Sequence, residues 1–266
     1  MNGDTVIRCL ELLCACSLLL QTLEHWRIAD STDPEGVWSW PVQRADIPDS
    51  AVWIKRFLDF AFLPQYYRAM LVLRGLGAVL LAWSGASLGL ACWLFLSQLL
   101  LLVRWRGAFN GGSDFMTLVS LSGILLAQVL MLFMDASMAW GAGLGYIAIH
   151  TLSSYFVSGW VKLKRAEWRS GQALTVFLNS GLFGPLPPDS VFRKPWLALA
   201  CSWAFMVWEG VFPLVLFNPD WVWLFAGVAL IFHFLVFWFF GLNRFFWAWT
   251  VNLSSIFFLS NFISKY

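Results

Sequence analysis

Long apolar runs separated by short polar segments dominate the chain. A helix needs about 20 mainly apolar residues to cross a bilayer. The run from 69 to 103 carries one charge, Arg74, and is too long for a single crossing, so we divide it at Ser84-Gly85-Ala86-Ser87. The pattern predicts an all-α, polytopic transmembrane helical bundle of seven or eight spans, at about 5–24, 69–84, 87–103, 115–134, 138–163, 196–217, 221–242 and 245–262.

Polar segments at about 25–68, 104–113 and 163–195 separate the runs. In the first, residues 51–63 set aromatic side chains against Lys55 and Asp59 in an amphipathic pattern, which favours a helix lying at the membrane surface. A second amphipathic helix is expected at about 172–179. The first span lacks a basic leader and a small-residue cleavage site, so we do not expect it to be removed as a signal peptide.

The amino-acid composition argues against a soluble protein. Of the 266 residues, 60% are hydrophobic and 12% are charged, whereas soluble domains carry about 25% charged residues. We therefore expect one multi-pass domain in the cell membrane, with the lipid bilayer as its main partner. The net charge of +2 without a long basic run gives no support to nucleic-acid binding. The five cysteines lie in apolar stretches without metal-ligand spacing, so no metal is expected.

Six ionisable residues fall inside or near the ends of the apolar runs, where a charge costs about 2.5–3.5 kcal/mol at the helix centre. Arg8 and Glu11 are three residues apart and can pair with each other. Arg74 lies close to Arg68 in sequence, and we expect its long side chain to reach the headgroups. The other three, Lys162, Glu209 and His233, are candidates for a functional site.

Lys162 ends a polar ridge, because His150, Ser154 and Ser158 precede it at intervals of four residues. The ridge could face an internal cavity and carry protons. Alternatively, the serines form a helix-packing seam and Lys162 marks the end of the helix at the interface.

Glu209 lies mid-span and has no reach to water, so it is either protonated or paired with Arg74, His233 or another cation. His233 lies near the middle of the next span, where a neutral imidazole bonded to a neighbour is the usual outcome. Both side chains are therefore expected to face the interior of the bundle.

A family resemblance rests on the segment from Tyr155 to Leu163, Tyr-Phe-Val-Ser-Gly-Trp-Val-Lys-Leu, followed by Trp168 and Gly171. This segment resembles the Tyr-Phe-x-x-Gly-x-x-Lys-Leu…Trp…Gly segment of the vitamin K-dependent gamma-carboxylase membrane domain, within the broader horizontally transferred transmembrane (HTTM) family. The other matching features, in chain order, are Asn110-Gly111-Gly112-Ser113-Asp114, Glu209 to Pro213, and His233 followed by Gly241, Leu242 and Phe245.

The resemblance implies that Lys162 is a catalytic base that works on a quinone or lipid-like substrate, with Glu209 and His233 as further catalytic candidates. Candidate cavity or loop residues are Arg74, Asn110, Tyr155 and Trp168. The carboxylase has an Asn-His pair where this chain has Asn110-Gly111, and the large lumenal region of the carboxylase is absent. Glutamate carboxylation is therefore not expected.

Two functions remain open at this point. The first is an accessory factor for maturation, export or immunity of a secreted peptide, or a subunit of a larger membrane complex. Its contact surfaces would be the segments 37–40 and 104–106. The second is a membrane enzyme that uses Lys162 as base, and the missing loop histidine favours the first. Membrane orientation also stays open, because the basic loops predict one direction and the family implies the other.

Overall fold

A computed structural model describes residues 3–47, 52–106, 111–182 and 184–264. The described residues form helices and contain no strand. The helices are α1 (Gly3–Arg27), α2 (Trp40–Arg44), α3 (Val52–Ala61), α4 (Pro64–Ser84), α5 (Leu88–Trp105), α6 (Gly111–Leu130), α7 (Ala136–Lys164), α8 (Ala166–Arg169), α9 (Gln172–Asn179), α10 (Pro195–Val211), α11 (Pro219–Phe240) and α12 (Asn243–Ile263).

The protein is an integral membrane protein built as an all-α bundle. Within the described residues, seven helices are long and apolar enough to cross a membrane: α1, α4, α5, α6, α10 with its short extension, α11 and α12. Helix α7 has 29 residues, more than any of the seven, and returns the chain to the end of the bundle where α10 begins. The prediction of a polytopic helical bundle is therefore confirmed.

Several helix limits differ from the apolar runs, and prolines explain two of them. Helix α4 begins at Pro64 rather than near 69, since a proline in the first turn needs no N–H partner. Helix α10 stops at Val211 and continues as a 3₁₀ helix, Phe212–Leu216, because Pro213 cannot continue the α-helical hydrogen bonds. Helix α6 ends at Leu130 rather than 134.

Glycines allow a close helix contact between α6 and α7. A methyl group added at Gly143 would lie 2.4 Å from the carbonyl oxygen of Gly123. One added at Gly123 would lie 2.4 Å from the side chain of Ile147. The two backbones therefore meet directly, as small residues allow in membrane helices.

Helix α3 turns its aromatic side outward, as expected for a helix at the membrane surface. Trp53 and Phe60 are exposed, whereas Lys55 is buried against the protein. Asp59 accepts hydrogen bonds from Arg44 Nε (2.6 Å) and Trp40 Nε1 (2.8 Å). The Arg44 guanidinium holds the pKa of Asp59 below its usual value. The polar side of α3 is thus tied to the loop before it, and its aromatic side is exposed.

Arginines on α4 and at the end of α5 fasten the polar segment 28–47, which follows α1. Arg68 pairs with Asp33 (2.8 Å), and Arg106 pairs with Asp46 (2.5 Å). Arg104 is fully buried and donates to the Gln43 side chain. This segment is consequently a fixed part of the bundle end.

Candidate functional site

Lys162 and Glu209 form an ion pair between α7 and α10. Lys162 Nζ lies 2.6 Å from Glu209 Oε1 and 2.5 Å from Oε2, and it donates to Ser158 Oγ at 2.9 Å. Glu209 is 3% exposed. The carboxylate therefore has a cation on both oxygens, which is what a charge at this depth requires. Its partner is Lys162 rather than Arg74 or His233.

Gly159 makes this pairing possible. A methyl group added at Gly159 would lie 2.5 Å from the backbone nitrogen of Gly210 and 3.0 Å from Glu209 Cβ. Glycine lets the two helix backbones touch one turn before Lys162. The amine and the carboxylate can then meet although both side chains are attached to tightly packed helices.

Trp168 covers the pair from the side of the polar loop. Its ring centroid lies 5.2 Å from Lys162 Nζ, which is within the range of a cation–π contact. Helix α8 is held on α10 by two hydrogen bonds, from Ser202 Oγ to the Trp168 carbonyl (2.5 Å) and from Trp203 Nε1 to the Arg169 carbonyl (3.1 Å). The short helix after α7 is thus held against α10, with the Trp168 ring over the Lys162 amine.

Tyr155 and His233 form a second polar pair deeper in the bundle. The tyrosine hydroxyl lies 2.7 Å from His233 Nε2, and the two residues are 2% and 1% exposed. Aromatic rings enclose the pair: Tyr155 stacks on Phe212 with 4.2 Å between centroids, and His233 stacks on Trp249 with 5.0 Å. The expected hydrogen bond of a neutral histidine to a neighbour is present.

Three buried nitrogens around Tyr155 have no hydrogen-bond partner in the part of the chain that the structure describes. They are His233 Nδ1, Trp208 Nε1 and Trp249 Nε1. Each belongs to a ring within 6 Å of the Tyr155 ring. The two indole nitrogens can only donate, whereas His233 Nδ1 donates or accepts according to its tautomer. A buried donor left unpaired costs about 1–3 kcal/mol, so the two indoles suit a molecule that carries hydrogen-bond acceptors.

The structure brings five of the seven candidate residues together and leaves one apart. Lys162, Glu209, Tyr155, Trp168 and His233 converge between α7, α8, α10 and α11. Asn110 lies outside the described residues.

Arg74 is the candidate that lies apart, and it does not reach the headgroups as expected. Its side chain is fully buried between α4, α5 and α1. The guanidinium donates to Gln98 Oε1 (2.6 Å) and Ser97 Oγ (2.8 Å). Neutral acceptors from α5 therefore bind its two terminal nitrogens inside the bundle, whereas Nε has no partner among the described residues. Arg8 and Glu11 pair at 3.3 Å, as the spacing predicted.

The polar ridge on α7 divides into two parts. Ser158 binds Lys162 and belongs to the site, whereas His150 is exposed and accepts a hydrogen bond at its backbone carbonyl from Ser154. The face of α7 that packs on its neighbours instead carries Leu152, Tyr155 and Gly159. The ridge does not line a continuous interior path.

Sequence reasoning missed the aromatic wall of the site. Trp208, Phe212 and Trp249 surround Tyr155. They are three among many aromatic residues in apolar runs, so only the position of Trp208 next to Glu209 could have singled one of them out.

The two segments expected to bind a partner contact each other. The Trp38 and Trp105 rings lie 6.0 Å apart, and Arg104 is fully buried. Arg106 donates to the Gln43 carbonyl at 2.6 Å. These side chains hold the bundle end together, although Val37 is exposed.

Comparisons with models of protein families, with curated proteins and with solved structures find no match.

Proposed function

We propose that this chain is a membrane enzyme of the HTTM type that performs acid–base chemistry on a lipid-soluble substrate. The observation that carries the proposal is the Lys162–Glu209 ion pair, closed between α7 and α10. The convergence of Tyr155, Trp168 and His233 on the same region supports it. Tyr155, Lys162 and Trp168 belong to one segment of the motif on which the resemblance rests, and Glu209 and His233 belong to two others.

The ion pair has the composition of a proton-transfer unit. In the ion pair, Lys162 is an ammonium and cannot accept a proton. Transfer of one proton from Nζ to the Glu209 carboxylate leaves a neutral amine and a carboxylic acid, and a low-dielectric site narrows the free-energy gap between the charged and neutral pairs. The amine then takes a proton from a substrate, while Glu209 keeps the first proton.

A quinone fits the residues that are present. When bound, it would supply ring carbonyls that accept hydrogen bonds and, after reduction, hydroxyls that release protons. Trp208 Nε1 and Trp249 Nε1 are buried indole donors without a partner in the described part of the chain. The indole nitrogen can only donate, so these two side chains would hold carbonyl oxygens.

An accessory role in peptide maturation or in a larger complex has less support. The residues of 104–106 that would form its contact surface are used inside the bundle. The test below separates the two functions, because an accessory protein without catalytic activity does not convert lipid-soluble molecules of the membrane.

The test compares organic extracts of membranes that contain the wild type, Lys162→Met or Lys164→Met. Lys164 is the matched control, because its amine lies over the Trp160 ring, 5.2 Å from the centroid, and not at Glu209. We expect untargeted mass spectrometry to find a molecule that the wild type and Lys164→Met change and Lys162→Met does not. Folded protein must be present in equal amounts by gel filtration. Identical extracts from the wild type and Lys162→Met would refute the proposal.

A further inference from the structure

A pocket of about 360 Å³ lies at the end of the bundle where α4 begins. It is lined by Asp33, Pro34, Glu35, Pro64 and Arg68. Pro64 is the first residue of α4, which is long and apolar enough to cross the membrane, and Arg68 lies about 6 Å further along that helix. The surface helix α3 ends just before α4, and the Phe60 ring of α3 lies 4.3 Å from the Tyr66 ring of α4. The pocket therefore lies at the level where lipid headgroups meet water.

The guanidinium of Arg68 uses one of its three nitrogens to contact the protein. Nη2 lies 2.9 Å from Asp30 Oδ1 and 2.8 Å from Asp33 Oδ2. Nε and Nη1 make no hydrogen bond with any residue that the structure describes. These two donors are therefore available to an acceptor from outside the protein, and phosphate oxygens match the fork of a guanidinium well.

Glu35 gives the pocket an unpaired carboxylate. Its side chain is exposed and makes no hydrogen bond or ion pair within the described part of the chain. Together with Asp30 and Asp33, it brings three negative charges to the one positive charge of Arg68. The surplus favours a ligand that carries a cation, and an ammonium group has the donors that the Glu35 carboxylate needs.

An apolar strip on α4 continues from the pocket toward the centre of the bilayer. Val72, Leu76 and Val79 follow Arg68 at intervals of four, four and three residues, so they lie on the same side of the helix. All three side chains are exposed. The surface thus offers a site for an ammonium and a phosphate at the level of the headgroups, with an apolar strip directly below it.

We infer that this surface binds one aminophospholipid of the phosphatidylethanolamine type. The ammonium group donates to Glu35, the phosphate accepts from Nε and Nη1 of Arg68, and an acyl chain lies along Val72 and Val79. Phosphatidylcholine has no N–H donor for Glu35, and phosphatidylglycerol has no cation to offset the surplus negative charge. Binding at this surface does not depend on chemistry at Lys162.

Lipid selectivity gives the first test. The purified protein is delipidated in detergent and titrated with dioleoyl phosphatidylethanolamine, phosphatidylcholine or phosphatidylglycerol, and the bound lipid is counted by native mass spectrometry. We expect the ethanolamine lipid to bind about twofold to fivefold more tightly than the choline lipid, as one exposed charge pair predicts, and the glycerol lipid to bind most weakly. Equal or tighter binding of either other lipid overturns the inference.

Glu35→Gln removes the carboxylate charge and keeps the size of the side chain. We expect its affinity for the ethanolamine lipid to fall to that for the choline lipid, and its affinity for the choline lipid to stay unchanged. Glu167→Gln is the matched control, because Glu167 is also exposed and lies on α8, away from α4. An unchanged selectivity in Glu35→Gln, or the same loss in both variants, contradicts the role of Glu35.

Arg68→Lys tests the phosphate contact, because lysine keeps the charge beside Asp33 and loses the two further donors. The ethanolamine and choline lipids should both bind about twofold to fivefold more weakly to this variant, and wild-type affinity for both would overturn the assigned donor. If the variant loses Tm, the Glu35→Gln result decides the headgroup site by itself.

Two further measurements locate the lipid and its chain. An ethanolamine lipid with a diazirine in one acyl chain should label residues 72–79, and labelling only elsewhere overturns the site. Glycerophosphoethanolamine, the same headgroup without acyl chains, should fail to displace the lipid even in large excess. Full displacement by this soluble compound would assign the pocket to a soluble ligand instead of a lipid.

Discussion

The contact at Gly159 gives the sharpest prediction, because a single methyl group should separate α7 from α10. In Gly159→Ala the new Cβ would lie 2.5 Å from Gly210 N and 2.9 Å from the Met206 carbonyl oxygen. Both are backbone atoms, which cannot rotate away as a side chain can. Carbon contacts are optimal near 3.5–4.0 Å, so the helices must move apart by about 1 Å.

The cost of that movement follows from overpacking, which destabilises by about 1–3 kcal/mol. At roughly 2–4 °C per kcal/mol, we expect Gly159→Ala to lower the Tm by roughly 2–12 °C in detergent. Gly145→Ala on the same helix is the control, because a methyl group there meets no atom within 4 Å. That variant should keep its Tm or gain slightly from the better helix propensity of alanine.

A double-mutant cycle tests the link to the ion pair. If the helices separate, the Lys162–Glu209 contact weakens, so Lys162→Met should cost less in the Gly159→Ala background than in the wild type. Equal Tm values for Gly159→Ala and Gly145→Ala would refute the packing argument. Strict additivity in the cycle would refute its connection to the site.

Two further predictions concern the buried pair and the surface helix. Tyr155→Phe leaves His233 Nε2 without its partner and should cost about 1–3 kcal/mol; Tyr146→Phe, a half-buried position on the same helix, should stay within about 0.5 kcal/mol, and equal Tm values would contradict this. Because Arg44 lowers the pKa of Asp59, the contribution of this contact is fully present above the ordinary pKa and is lost as the pH falls through the lowered one. The protection of α3 amides against hydrogen exchange, relative to an unfolded chain at the same pH, should therefore fall only below about pH 4. A loss of protection between pH 6 and 5 would contradict the assignment.

The helices could be predicted from sequence because a bilayer allows few backbone structures. An apolar run long enough to cross it must form its backbone hydrogen bonds within the run, as a helix does. The sequence also showed that Glu209 needs a partner. It could not choose Lys162 over Arg74 or His233, since that choice depends on the glycine contact between two helices distant in sequence.

Arg74 shows why nearness in sequence can mislead. Its expected reach to the headgroups assumed a helix that starts near 69. The helix starts at Pro64, which places Arg74 about 15 Å along it. Gln98 and Ser97 then supply acceptors, and only the packing of α5 on α4 could reveal them.

The contact between the first and last helices has a consequence for synthesis. Glu24 at the end of α1 binds Asn243 (2.7 Å) and Arg244 (2.9 Å) at the start of α12. Arg244 also faces Asp114 at the start of α6, 3.7 Å away. During synthesis, Glu24 and Asp114 are both made before Arg244, the cation that they contact in the folded bundle. A nascent chain that stops before α12 therefore lacks the arginine that Glu24 and Asp114 contact in the folded bundle.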